Sequence, residues 1–377
     1  MIEKIGIVGS GAMGIGIAQV AATAGQAVVL FDASSSALEN AKHALLANLK
    51  KLEAKGKLES AEVVFSNVIF ADSLHEFSTS QFVIEAVVED ISVKKHLFQS
   101  LEEVVAKDCI LATNTSSLSI TSIAASCNHA SRVIGVHFFN PAPIMELVEI
   151  IPALQTDAVI VDVTKSLVDF WKKSAVLCKD TPGFIVNRIA RPYYGEALRI
   201  LDEGIASCET IDAAMRNAGF RMGPFELMDF IGHDVNFRVS ESVFQSFYFD
   251  PRFKPSFTQK RLFEAGWYGR KSGKGFYDYA ESVEKKAPDS DNLLQNKVFL
   301  RILSMLINEA ADALHFGVAS EEDIETAMKK GVNYPKGLFE WAAEIGVEQI
   351  VKQLDSLYVV YGEDRYRCSP TLRKRLG

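Results

Sequence analysis

The chain has 377 residues, 48% of them hydrophobic, and a formal net charge of −8. That length exceeds what one ordinary core fills, so two or three domains are expected, and the acidic balance argues against a nucleic-acid surface. The five cysteines (Cys109, Cys127, Cys178, Cys208, Cys368) form neither a CxxC pair nor a metal-ligand spacing, so no metal is expected and the thiols read as reduced. No run is long enough to span a membrane, and no basic leader precedes the first apolar run, so the expectation is a cytoplasmic protein.

In chain order, Lys4–Val8 is a predicted strand that runs into Gly9-Ser10-Gly11-Ala12-Met13-Gly14 and then a helix-like segment. This is GxGxxG between a strand and a helix. Gly9 permits the turn, Gly11 lets a pyrophosphate approach the backbone, and Gly14 lets helix pack on strand. The helix N-terminus offers free N–H groups to phosphates. A second strand, Ala27–Phe31, ends at Asp32, whose carboxylate can take a ribose 2′-hydroxyl; no Lys or Arg follows until Lys42. A 2′-phosphate would be repelled there, so the site reads as one for NAD rather than NADP.

Ser34–Gly56 has the spacing of a long amphipathic helix with a basic far end, Lys50-Lys51 through Lys57. That end is either a solvated helix terminus or a clamp for phosphates of a long substrate. Val68–Phe70, Phe82–Glu85, Ile110–Thr113 and Val133–His137 are further predicted strands, and Val93–Ala106 a helix. Glu146–Ile151 alternates and fits an antiparallel strand. The alternation implies βαβ units, a Rossmann-type α/β domain with a mostly parallel sheet whose ligands sit beyond the strand carboxyl ends.

The pattern changes at Asp180-Thr181-Pro182-Gly183. From there the chain reads as helices, beginning with one long helix over Ile185–Asp202. Within this part, residues 196–215 align with 309–328, Gly223, Phe225, Glu226 and Gly232 with Gly337, Phe339, Glu340 and Gly346, and Lys260-Arg261-Leu262 with Lys374-Arg375-Leu376. A repeat of this length reads as a duplicated helical domain. The expected organisation is 1–182 nucleotide-binding, 183–280 first helical copy, and 291–377 second copy, with a charged, Pro-containing join between the copies.

Four residues carry candidate chemistry. His137 ends a strand on the ligand rim, where a neutral imidazole can take a hydroxyl proton while hydride leaves the carbon. Glu149 lies on the next strand pattern and can fix the ring's tautomer. Ser116 and Asn187 offer neutral groups for an oxygen that becomes a carbonyl. Each also has a structural alternative: a strand-end histidine, a surface carboxylate, a loop cap and a helix-face amide. Glu89 and Lys94 follow the fourth strand, as cofactor neighbours or as a helix-start carboxylate and a solvated lysine.

Taken together, GxGxMGxGIA (9–18), EAVVED (85–90), NTSSLSI (114–120), HFFNP (137–141), LVEII (147–151), KDTPGFIVNR (179–188), MGPFELMDFIG (222–232) and GRKSGKGFYDY (269–279) resemble the L-3-hydroxyacyl-CoA dehydrogenase family, 3-hydroxybutyryl-CoA dehydrogenases included, in order and spacing. The resemblance covers nearly the whole chain. It implies NAD-dependent oxidation of (S)-3-hydroxyacyl-CoA to 3-oxoacyl-CoA, with His137 as base, Glu149 as its partner, and Ser116 and Asn187 on the substrate oxygen. It implies that Gly9, Gly11, Ala12, Met13, Gly14, Asp32, Glu89, Lys94 and Asn114 serve the cofactor and that the basic helix end, Lys50 and Lys57, serves the CoA. It places the acyl chain in a cleft between the domains. The departure is the second helical copy. It carries Leu300 at the position of Asn187 and lacks the DTPGF segment, so it is not a second active site. Two copies in one chain can pair as an internal pseudo-dimer where shorter relatives form homodimers, although a homodimer stays open. A dehydrogenase of a free hydroxy acid or sugar acid, and a non-catalytic NAD-binding protein, are the competing readings. Acyl chain length is not set by these residues.

Overall fold

The computed structural model describes residues 2–284 and 286–376. Met1, Gly377 at the end of the expected second copy, and Lys285 in the expected join lie outside the described residues. Two compact units divide the chain between Phe184 and Ile185, just beyond the expected boundary near 182.

The first unit begins with β1 (Lys4–Val8), α1 (Ala12–Thr23), β2 (Ala27–Phe31) and α2 (Ser35–Ala54). It continues through α3 (Ala61–Ser66), β3 (Val68–Ala71), β4 (Phe82–Glu85), α4 (Ile91–Val104) and β5 (Ile110–Thr113). It ends with α5 (Ile120–Ala124), β6 (Val133–Phe138), β7 (Leu147–Pro152), α6 (Ala158–Phe170) and β8 (Ser174–Leu177). Helix starts follow side-chain capping. Ser34 accepts from the Ala37 N–H ahead of α2, and Asp90 accepts from Ser92 and Val93 ahead of α4, which satisfies donors that the first helical turn leaves free.

The strands form one sheet in the order β3-β2-β1-β4-β5-β6-β7-β8. The first six strands are mutually parallel, β7 runs antiparallel to β6, and β8 pairs parallel with β7. Strands such as β4 and β5 are buried at every position, as expected of parallel strands covered on both faces. The polar segments after β1, β2, β4, β5 and β6 therefore leave the sheet at one edge. The sequence reading contained neither α3, α6 nor β8.

The second unit is helical: α7 (Val186–Ile189), α8 (Arg191–Asp202), α9 (Cys208–Asn217), α10 (Pro224–Ile231), α11 (His233–Ser246) and α12 (Phe257–Glu264). Then come α13 (Asn292–His315), α14 (Glu321–Val332), α15 (Leu338–Ile345), α16 (Val347–Tyr361) and α17 (Pro370–Lys374). The single helix expected over Ile185–Asp202 is instead broken at Ala190. Pro192 has no N–H to give the Arg188 carbonyl and its ring crowds that position, so the helix restarts with proline in its first turn.

The two halves of this unit present the same local devices. Glu226 reaches back to the Gly223 N–H at the start of α10, as Glu340 does to Gly337 at the start of α15. Asp212 accepts from the Phe225 N–H at 2.9 Å, and Glu325 from Phe339 at 2.8 Å. Gly232 and Gly346, which close those helices, have φ of +97° and +95°. Buried ion pairs connect the halves reciprocally: Arg188 Nε donates to Glu309 Oε1 at 2.6 Å, and Arg301 Nε donates to Glu196 Oε1 at 2.6 Å.

Candidate active site

The turn after β1 has a separate steric reason at each glycine. Gly9 has φ +101°, and a Cβ there would lie 2.5 Å from the Ala86 carbonyl oxygen. A Cβ on Gly14 would lie 1.8 Å from the Gly9 carbonyl oxygen, whereas one on Gly11 would meet nothing within 4 Å. Gly9 and Gly14 are thus required by packing, and Gly11 keeps the space in front of the α1 N-terminus open. Ala12 is exposed and Met13 half-buried in that first turn, which carries no acidic side chain.

Asp32 closes this corner. Its Oδ2 accepts from the Ser10 N–H at 2.7 Å and hydroxyl at 2.9 Å, and its Oδ1 from the Ser34 N–H at 2.9 Å. Burial works against the charge, but the Ser10 and Ser34 donors hold the carboxyl below its ordinary pKa. An open helix N-terminus beside an ionised strand-end carboxylate fits a dinucleotide with a free ribose diol.

Beyond β4 lies a buried charge network that the sequence reading held only in part. Lys94 is 1% exposed, and its Nζ lies 2.5 Å from Oε1 of the fully buried Glu85 and 3.3 Å from Oε2 of Glu89. Glu85 Oε2 also accepts from the Thr113 hydroxyl at 2.7 Å. Lys94 is therefore not a solvated lysine. Glu89 Oε1 in turn accepts from the Thr115 hydroxyl (2.5 Å) and from the Ser116 (3.0 Å) and Ser117 (3.2 Å) N–H groups. Burial raises its pKa, but Lys94 and these donors outweigh burial and hold it below the ordinary carboxylate value. One carboxylate thereby shapes the turn that presents Ser116. Glu85 was missed because it falls inside an apolar strand run; its spacing to Lys94, one βα connection away, was the available signal.

His137 and Glu149 are direct partners in the β6–β7 register. The ring's Nδ1 lies 2.6 Å from Glu149 Oε2, with His137 6% exposed and Glu149 fully buried. A carboxylate only accepts, so Nδ1 carries a proton, and in the neutral ring Nε2 is then the acceptor. Phe139 and Phe184 flank the imidazole at centroid distances of 4.5 and 5.8 Å. Phe184 holds φ +47° next to Gly183 at +71°, a costly conformation for an aromatic residue and one that clusters at functional sites. The Asn114 side-chain oxygen accepts from the Phe138 N–H at 2.8 Å, tying the end of β5 to the histidine strand.

Lys57 and Lys51 line a groove of about 1210 Å³ together with residues of α1 and α2 and with Pro141, Ile144 and Trp171. Lys50 instead faces Glu62 at 3.4 Å. Asn187 belongs to the second unit and is half-buried within a buried run, Gly183 to Ala190. Among the described residues there is no cluster of metal-ligating side chains and no helix long and apolar enough to cross a membrane.

Residues 4–181 match the 3-hydroxyacyl-CoA dehydrogenase NAD-binding domain, and residues 183–279 and 298–376 match the C-terminal domain of the same family. The chain is 40% identical to the 3-hydroxyadipyl-CoA dehydrogenase of Escherichia coli, over 99% of this chain and 97% of that one. It is also 40% identical to the human mitochondrial hydroxyacyl-coenzyme A dehydrogenase, over 74% of this chain and 92% of that one. A crystal structure of 3-hydroxybutyryl-CoA dehydrogenase from E. coli superposes with a TM-score of 0.94 at 40% identity, covering 100% of this chain and 98% of that one. With its glycine turn, its Asp32 corner and its His137–Glu149 pair on one sheet, the chain belongs to the 3-hydroxyacyl-CoA dehydrogenase family and is an NAD-dependent oxidoreductase.

Proposed function

We propose that the chain interconverts (S)-3-hydroxyacyl-CoA and 3-oxoacyl-CoA, with His137 as general base and Glu149 as its supporting carboxylate. The observation that carries this reading is the buried 2.6 Å contact between His137 Nδ1 and Glu149, which leaves Nε2 to accept a hydroxyl proton. Glu149 stabilises the imidazolium that results. Ser116, presented by the Glu89-bound turn, and Asn187 hold the substrate oxygen as it becomes a carbonyl. When bound at the glycine turn, NAD would supply the hydride acceptor for C3 of the substrate. Gly9, Gly11, Ala12, Met13, Gly14 and Asp32 hold the dinucleotide, with Glu89, Lys94 and Asn114 arranging the adjoining strand ends. Lys57 and its neighbour Lys51 serve the CoA phosphates from the α1–α2 groove; Lys50, engaged by Glu62, is the weaker of the expected pair. A cytoplasmic location is part of the same reading.

We also infer that the helical unit is a duplicated domain paired with itself. The two separate matches to the C-terminal domain and the reciprocal Arg–Glu pairs support that reading, and reciprocity of this kind is what a two-fold interface produces.

The test is NADH oxidation with acetoacetyl-CoA beside free acetoacetate, with NADPH as cofactor control. Turnover of the thioester with NADH is the expected result. Turnover of the free acid at equal efficiency, unaffected by Lys51→Glu with Lys57→Glu, would replace the CoA reading with the free-acid one. Tight NADH binding without turnover of either would favour a non-catalytic protein.

A further inference from the structure

The short helix that carries Asn187 is held by the chain's other helical half. With four residues, α7 is too short to be stable by itself, and the Pro192 break uncouples it from α8. It packs on α13 and α14. From Gly183 to Ala190, Asn187 is the one residue that is not buried, so its direction is set by how its neighbours are fastened. Next to it, Arg188 points into the unit, donates to the buried Glu309 of α13 at 2.6 Å, and lies over the rings of Phe247 (5.2 Å) and Phe316 (6.0 Å). Glu309 Oε2 also accepts from Arg252 at 3.3 Å.

The unit contains a built-in control. Arg301 and Glu196 stand at the positions equivalent to Arg188 and Glu309, in the alignment that pairs 196–215 with 309–328. They make the same 2.6 Å contact, and Arg301 lies over the Tyr361 ring at 5.3 Å. Arg301, however, sits within the unbroken 24-residue α13, and Leu300 precedes it. The second pair thus has the fastening without a polar residue to aim.

We propose that Glu309 is a positioning residue for the active site: through Arg188 it fixes the helix that presents Asn187, so the helical half without a site of its own supplies part of the site's geometry. This rests on the reading of Asn187 as a contact to the substrate oxygen.

The test compares Glu309→Gln with Glu196→Gln, and Arg188→Lys with Arg301→Lys, in the full-length enzyme with acetoacetyl-CoA and NADH. Both members of each couple should lower the melting temperature similarly. Only Glu309→Gln and Arg188→Lys should lower kcat, by roughly tenfold, since small misplacement of an orienting group is costly, with KM for NADH unchanged. In an Asn187→Ala background the kcat effect of Glu309→Gln should vanish, because residues acting through one another are not additive; a merely structural defect would persist there. Equal kcat in the two folded Gln variants would overturn the proposal. Should either Gln variant fail to fold, the Lys couple decides by the same criterion. If Asn187→Ala itself leaves kcat unchanged, the Asn187 assignment falls and takes this proposal with it. If Asn187→Ala is impaired while Glu309→Gln matches the wild type, the positioning role alone is refuted.

Discussion

Replacing Glu149 by glutamine isolates the charge behind His137 while keeping the shape of the side chain. Glu149 is fully buried and its oxygen lies 2.6 Å from Nδ1. With charge centres about 4 Å apart and an effective dielectric of about 20, the attraction between carboxylate and imidazolium is about 4 kcal/mol. A neutral amide hydrogen bond recovers about 1 kcal/mol of that. The remaining loss of about 3 kcal/mol falls on the state in which the ring is protonated, and corresponds to about two orders of magnitude in kcat. Glutamine can also donate to Nδ1, which would move the ring proton to Nε2 and abolish its role as acceptor, adding to the effect. Steady-state kinetics with 3-hydroxybutyryl-CoA and NAD reads this directly, and circular dichroism checks that the β6–β7 pairing survives. A folded Glu149→Gln enzyme with kcat within about twofold of wild type would refute the reasoning.

Gly14→Ala drives a Cβ to 1.8 Å from a backbone carbonyl and should cost about 3 kcal/mol or more, as overpacking does. Gly11→Ala meets no atom and should cost under about 1 kcal/mol while weakening NADH binding roughly tenfold; thermal melts and fluorescence titration separate the two. Glu89 has a folded pKa below its ordinary value, so it contributes stability above pH 4.5 that is lost as pH falls through the lowered folded value. The melting temperature of wild type should therefore exceed that of Glu89→Gln at pH 7 and converge with it in strong acid. Burial pushes the Cys109 thiol up to about 12 and those of Cys127 and Cys368 up to about 11, so all three should resist iodoacetamide at pH 8 until urea is added; mass spectrometry would show the adducts.

Most of the rim was legible because each of its residues ends an apolar run, and in a parallel sheet the carboxyl ends of such runs share an edge. Asp32, Asn114 and His137 are of this kind. The His137–Glu149 pair was legible for a second reason: alternation in 146–151 implied an antiparallel neighbour, and the register does place the two residues opposite each other. What escaped was set by tertiary packing. Periodicity carried the reading of Ile185–Asp202 as one helix through Pro192, which ends α7 in the structure. Lys94 reads either as a cofactor neighbour or as a solvated lysine, and only the fold brings it onto Glu85. Which lysine faces the groove depended on the rotation of the end of α2, where Lys51 takes the lining position and Lys50 meets Glu62.

The central claim is that His137 takes the substrate's hydroxyl proton on a dinucleotide-binding sheet. Its most direct test is the initial rate of NADH formation from (S)-3-hydroxybutyryl-CoA by wild type and by His137→Gln, with NADH affinity measured on both. The account predicts turnover by wild type, a loss of about 10²–10⁴-fold in the variant, and unchanged affinity for NADH. Undiminished turnover by a folded His137→Gln enzyme would contradict it.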